Sequence, residues 1–151
     1  MNDGLKLRGD VLIERRTKDG KVIEREEIKN LILNIGKERV AKLLNGVETT
    51  PFKYIAIGEG TTAPVIGNTG LENESDRSIA DDSGGSYEAS YKAIWEKTFT
   101  FGSGISYSIT EACVSDSASA SGETLLDRFT FSAKAVDADT DLYVKITVTV
   151  S

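Results

Sequence analysis

Leu142, Val144, Ile146, Val148 and Val150 alternate without a break with Tyr143, Lys145, Thr147 and Thr149. A period of two puts every second side chain on one face of an extended chain, whereas a helix would scatter this set around its circumference. The segment therefore predicts a β-strand with one buried face. The same period runs through residues 87–101, where Tyr87, Ala89, Tyr91, Ala93, Trp95, Lys97, Phe99 and Phe101 share one parity. Lys97 is the only charged member of that set and predicts a bulge or a rim position. Residues 105–114 and 125–133 read as two more strands, with turns at 102–104, 115–122 and 137–141. Short strands separated by regular turns predict a mainly β fold: an antiparallel sandwich or barrel carrying one short α-helix.

The front of the chain reads differently. Val11 to Arg16 and Val22 to Arg25 flank Lys18-Asp19-Gly20-Lys21, whose Asp-Gly pair suits a tight reversal. Residues 5–28 thus predict an N-terminal β-hairpin with charges of both signs on its wet face. A two-stranded hairpin is marginal alone, so it must pack on the body or on a neighbouring subunit. Residues 34–45 predict the helix, with Asn34 as N-cap, Gly36, Val40, Leu43 and Leu44 on one face, and Asn45-Gly46 as the C-terminal stop. Residues 52–57 predict a buried strand. Residues 58–86 are rich in Gly, Thr, Asn, Ser and Asp and predict one long loop, with a flexible tip at 81–86. The organisation expected is residues 1–50 as hairpin arm plus helix and 51–151 as β-rich body, in one compact unit.

Composition removes chemistries. The 151 residues contain no histidine and one cysteine, Cys113. Nucleophiles activated by histidine, histidine bases and most zinc sites are thereby excluded. A single cysteine permits no intrachain disulfide and no CxxC motif, which fits a reducing compartment or an assembly independent of disulfides. Hydrophobic residues, at 39%, suffice for a core at this length. The net charge of −6 divides into +2 over residues 1–50 and −8 over 51–151. An acidic body argues against nucleic acid as partner. No apolar run approaches the roughly 20 residues of a membrane-spanning helix, and Met1 to Lys6 has no apolar leader core, so a soluble protein without a conventional export leader is expected.

Individual motifs read mainly as structure. Gly58-Glu59-Gly60 lacks the third glycine of a dinucleotide loop, with Ala63-Pro64 in its place, and predicts a tight turn leaving a buried strand. Asp137-Ala138-Asp139-Thr140-Asp141 begins like a calcium loop but has Leu142 and Val148 where Gly and Glu are needed; a weak cation site there stays open. Glu72, Glu74, Asp76 and Glu111 are carboxylates with no fixed separation, the basis of a third-ranked reading as a hydrolase. Cys113 sits in a strand as a packed thiol. Trp95, Tyr87, Tyr91, Phe99 and Phe101 read first as core, with stacking on sugars or bases as the alternative. No catalytic residue, cofactor or metal ligand is expected.

One ordered series of motifs resembles a family. Asp19-Gly20-Lys21, Asn30-Leu31-Ile32 and Gly36-Lys37 precede Tyr54-Ile55-Ala56-Ile57-Gly58-Glu59-Gly60-Thr61-Thr62-Ala63-Pro64, and Thr69-Gly70-Leu71-Glu72-Asn73-Glu74 follows. Further on come Ile109-Thr110-Glu111-Ala112 and Gly122-Glu123-Thr124-Leu125-Leu126-Asp127-Arg128-Phe129. This series resembles small virion structural proteins of tailed bacteriophages. The resemblance implies a β-rich, often trimeric, non-enzymatic protein that decorates the capsid as cement or attaches to tail or fibre. The implied partner is the major capsid protein, and the implied place is the capsid exterior after assembly in the host cytoplasm. It also implies an N-terminal arm reaching a neighbour. The expected contact residues are Leu5, Leu7, Val11, Ile13, Arg15 and Arg16 in the hairpin and Glu59, Thr61, Thr62, Leu71 and Glu74 in the loop. The alternative is a tail or fibre module that binds a host glycan through Trp95 and Tyr91.

Overall fold

The alternating segment at the end of the chain lies at the centre of a five-stranded antiparallel sheet. The computed structural model describes residues 4–151. In chain order the elements are β1 (Leu7–Thr17), β2 (Val22–Lys29), β3 (Leu31–Ile32), α1 (Asn34–Leu44), β4 (Tyr54–Gly58), β5 (Glu74–Ile79), α2 (Asp81–Gly84), β6 (Ser86–Glu88), β7 (Lys92–Phe99), β8 (Ser106–Ser115), β9 (Asp127–Asp137) and β10 (Thr140–Val150). The first sheet runs β2-β1-β10-β7-β6 and the second β3-β9-β8-β4-β5. They pack face to face as a β-sandwich. Leu142, Val144, Ile146 and Val148 meet Ile55, Ile57, Ile109, Phe129 and Phe131 in its core. This is the mainly β, antiparallel architecture that the alternation predicts.

The N-terminal hairpin forms, and Gly20, at φ +90°, closes it. It does not reach away as an arm. β1 pairs with β10 along its whole length, from Leu7↔Val150 to Thr17↔Thr140, and with β2 on its other edge. Val11 and Ile13 are buried among the core side chains. The reason is the period of β1 itself: Val11 and Ile13 alternate inward, and beside Ile146 and Val144 of β10 they join the apolar face that the first sheet turns to the second. Residues 1–50 thus supply strands to both sheets, and with 51–151 they build one two-layer unit.

Three local expectations are corrected. Leu33, not Asn34, caps α1; it is fully buried and extended, and its side chain makes no capping bond. The helix starts where the chain leaves the core, and Asn34 instead donates its N–H to the Ile66 carbonyl at 3.0 Å. The stop at Asn45-Gly46 forms with Gly46 at φ +77°, but Leu44 falls off the inner face and is exposed. Residues 58–86 are not one loop. They contain β5, the short second helical element α2 and the start of β6. β5 escapes the alternation test because it is an edge strand of sequence Glu-Ser-Asp-Arg-Ser-Ile with no fully buried residue.

The strand expected over 87–101 is folded back on itself. Residues 89–91 turn, with Ser90 and Tyr91 at φ +73° and +66°, and β6 pairs with β7 in the register Tyr87↔Ala93. A reversal leaves the parity of side chains intact, which is why the period of two continues through it. Tyr87 and Tyr91 consequently stand in solvent, while Trp95, Phe99 and Phe101 are core. Lys97 causes no bulge, since β7 and β10 stay in register throughout; it sits half-buried at the rim, 3.6 Å from Asp81.

From Ile109 onward β8 is buried on both faces. Where its register with β9 shifts, between Ile109 and Glu111, the core-facing residues change from Tyr107 and Ile109 to Ala112 and Val114. Glu111 and Cys113 are thereby turned to the outer face. A second, small apolar cluster of Leu33, Ala56, Cys113 and Leu125 covers that face, with Leu71 packed against it.

Ile13→Ala is expected to lower unfolding free energy by about 2–5 kcal/mol, the usual range for truncating a buried isoleucine. Urea denaturation measures it. A loss below about 0.5 kcal/mol, typical of surface changes, would show that β1 is not part of the core.

Candidate functional site

The densest polar constellation lies on the outer face of the second sheet, beneath residues 59–73. Glu111 and Arg128 are almost fully buried there, with the Arg128 Nη2 2.9 Å from Glu111 Oε2. Glu111 also accepts backbone N–H bonds from Gly60 at 3.0 Å, Glu72 at 3.0 Å and Asn73 at 2.7 Å. Arg128 donates onward to the Thr62 carbonyl at 3.0 Å and to Asn68 Oδ1 at 3.1 Å. Thr110 Oγ1 donates to the Gly60 carbonyl at 2.7 Å. One ion pair therefore holds both ends and the middle of the segment. Bonds to a charged acceptor are the strong kind, and here they recover part of the cost of burying the charges.

Gly58-Glu59-Gly60 makes no tight turn: Gly58 ends β4, Glu59 donates its N–H to the Asn73 carbonyl at 2.8 Å, and close contacts are what require the two glycines. A Cβ on Gly60 would lie 2.5 Å from Glu111 Oε1, and one on Gly58 2.3 Å from the Asn73 carbonyl oxygen. Glu72 closes the outer rim by accepting the Thr61 and Thr62 N–H groups at 2.9 and 3.3 Å. The Thr62 hydroxyl and these two amides hold its carboxyl below the usual range.

Two further guanidinium clusters flank this one. Arg77 on β5 meets Glu123 at 2.7 Å and donates to Ser115 Oγ and the Ser117 carbonyl, each at 2.9 Å. Burial opposes its charge, but bonds to Glu74 and Glu123 outweigh that and raise its pKa. Arg39 on α1 reaches Asp116 at 2.6 Å and the Thr50 carbonyl at 3.1 Å. Together the three arginines fasten β5, α1 and the 59–73 segment onto the second sheet.

Asp127 begins β9 inside the molecule. Its carboxylate accepts from Val114 N–H at 2.7 Å and from the Asn30 amide, linking β9 to β8 and to the turn before β3. Burial pushes its pKa up to about 7, against the pull of those two bonds. Asn30 Oδ1 is buried with no partner. Burial and the nearby Asp127 charge likewise raise the Cys113 thiol well above its ordinary value, which keeps it protonated and unreactive.

The structure separates the expected contact residues into two groups. Leu5 is exposed at the chain entrance, Leu7 is half-buried against the core, and Val11 and Ile13 are core. Neither Val11 nor Ile13 offers a side chain to a partner. Arg15 pairs with Glu24 at 2.6 Å, and Arg16 pairs with Glu14 and stacks 4.0 Å over the Tyr143 ring. The second group gathers around Glu111. Glu59 accepts from Ser108 N–H at 2.9 Å, Thr61 and Thr62 are on the surface, Leu71 packs beneath, and Glu74 binds Arg77. Of the carboxylates weighed for acid–base work, Glu111, Glu72 and Glu74 serve these internal bonds. In the acidic turn, Asp137 accepts from Asp139 N–H and Asp141 pairs with Lys18. Among the described residues no three His, Cys, Asp or Glu side chains are grouped to hold a metal.

Glu123, Asp127 and Arg128 enter the sequence reading only as members of the motif series, with no role given, and Arg77 does not enter it. One signal was available: Asp127-Arg128 interrupts an apolar run from Leu125 to Phe131, and charges in such a run need buried partners. Comparison with known proteins returns no matching family model, no matching curated protein and no matching solved structure.

Arg128→Leu strands a buried carboxylate and is expected to cost about 3–5 kcal/mol in chemical denaturation, the range for breaking a buried ion pair. Asp127 generates a pH dependence. Between 3.8 and about 7 the folded chain retains a proton that the unfolded chain has released, so stability falls as pH rises across that interval. The slope contributed is at most about 1.4 kcal/mol per pH unit. Asp127→Asn is expected to remove this decline, as read from denaturation midpoints between pH 4 and 8; an unchanged slope would contradict it.

Proposed function

We propose that the protein is a virion structural subunit, a capsid decoration (cement) protein that binds the major capsid lattice and works by adhesion. The observation that carries this reading is a contrast. The buried charged groups are consumed in internal bonds that tie strands and the 59–73 segment together, while large apolar side chains remain in solvent, notably Leu5, Leu44, Val47, Val65, Tyr87 and Tyr91. A rigid body with scattered apolar contacts suits a protein whose task is area. Specific interfaces bury roughly 1,200–2,000 Å² in total, and a symmetric lattice multiplies modest contacts into avidity. The motif series from Asp19 to Phe129 supports the same class. In this reading the subunits associate with one another and sit on the capsid exterior, joined there after assembly in the host cytoplasm.

A tail or fibre module binding a host glycan is the second reading. Tyr87 favours it, standing exposed beside a shallow depression formed by Phe52, Gly84, Gly85, Ile94 and Trp95. Trp95 itself is mostly buried, with its Nε1–H donated to the Phe52 carbonyl at 2.8 Å, and Tyr91 lies in the turn of the β6–β7 hairpin.

Cryo-electron microscopy of purified particles tests the choice. Density for the sandwich at three-fold or quasi-three-fold positions of the capsid is expected. Density at the tail favours the second reading, and absence of the chain from particles overturns both.

A further inference from the structure

The largest exposed aliphatic side chains near the chain entrance converge on one groove. Its walls are residues 5–7 and the outer side of α1, its apolar lining is Leu5, Leu7, Val40, Ala41 and Leu44, and its volume is about 470 Å³. Leu44 is 76% exposed and Leu5 63%. Both walls are fixed. Lys6 exchanges two backbone hydrogen bonds with Ser151, at 2.7 and 2.9 Å, and α1 is anchored by Arg39 to Asp116. Such a preformed groove costs little ordering when it is filled.

Two lysines, Lys6 and Lys37, also line it. Among the described residues neither forms an ion pair, whereas Arg39 and Lys42 on the same helix are paired with Asp116 and Glu38. The apolar end continues across the first sheet. Leu7 pairs with Val150, and Val150 donates to the Tyr91 carbonyl at 2.9 Å, which brings the exposed Tyr91 to the same end of the molecule.

We propose that this groove docks an apolar segment bearing carboxylates, supplied by the capsid subunit; the inference rests on the decoration reading. The apolar lining takes aliphatic or aromatic anchors, and Lys6 and Lys37 meet the acidic groups beside them. Charge complementarity decides against a second copy seated face to face: a two-fold contact would bring Lys6 and Lys37 of both copies into one interface, and no carboxylate lines the groove to pair with them.

The test is co-sedimentation of the full chain with expanded capsids from which it has been omitted. Wild type is expected to bind. Leu44→Gln, and separately Lys6→Glu combined with Lys37→Glu, are expected to weaken binding at least tenfold, while a change at the exposed turn residue Ser103, Ser103→Ala, leaves binding as in wild type. These side chains lie at the surface, and circular dichroism checks that each variant is folded. Wild-type binding that both groove variants retain overturns the groove and leaves decoration standing. A wild type that binds no capsid overturns decoration and this inference together. A wild-type oligomer that Leu44→Gln converts to monomer assigns the groove to a second copy and also overturns it.

Discussion

The Glu111–Arg128 pair is the interaction on which the outer half of the structure depends. A carboxylate and a guanidinium withdrawn from water cost several kcal/mol each by desolvation. They persist because five donors converge on Glu111, three of them backbone N–H groups from the 59–73 segment, while Arg128 also satisfies a backbone carbonyl and Asn68. Such a pair contributes less to net stability than to uniqueness of structure. A segment rich in glycine, threonine and asparagine has many conformations of similar energy. Only one of them supplies the partners that a buried charge demands.

The same economy appears at the corner where the two sheets meet. Lys134, buried on β9, reaches Glu26 on β2 at 2.7 Å, and Asp127 binds the Asn30 amide across the gap between the hairpin and the second sheet. Polar contacts thus close the side of the sandwich that apolar packing leaves open. On the opposite side β5 and β6 are short or charged edges, and Asp76 accepts the Arg77 N–H of its own strand. Charged edges discourage strand-to-strand association, and the exposed Leu5 and Leu44 share one groove that neither of these strands lines. A protein arranged in this way presents a stiff body with a few exposed apolar side chains, the feature on which the proposed decoration role rests.

Legibility in the sequence followed the physics of each element. Strands with one buried face declare themselves by alternation, as β10 and the β1–β2 hairpin do, β8 and β9 are bracketed by their turn residues, and β4, buried on both faces, shows as a near-continuous apolar run. β5 was not, because an edge strand that buries no side chain fully has no period to show. The β6–β7 reversal was hidden for the opposite reason: its parity survives the turn, and the left-handed residues Ser90 and Tyr91 are not glycines. Of the site, Glu111, Gly58 and Gly60 were visible as residues of interest. Their meeting was not, since Arg128 lies seventeen positions from Glu111 and Gly60 fifty-one.

Alone, the sequence determined the class of fold and the chemistry that is out of reach. Period-two patterning can be satisfied only by sheets with a shared interior, and a chain without histidine and with one cysteine cannot assemble the catalytic devices those residues supply. Tertiary structure decided which charges would be buried and which apolar groups left outside. Whether Ile13 belongs to an arm or a core depends on β10 lying beside it, and whether Leu44 packs or protrudes depends on where α1 leaves the sheet. These are consequences of long-range pairing, which no local pattern encodes.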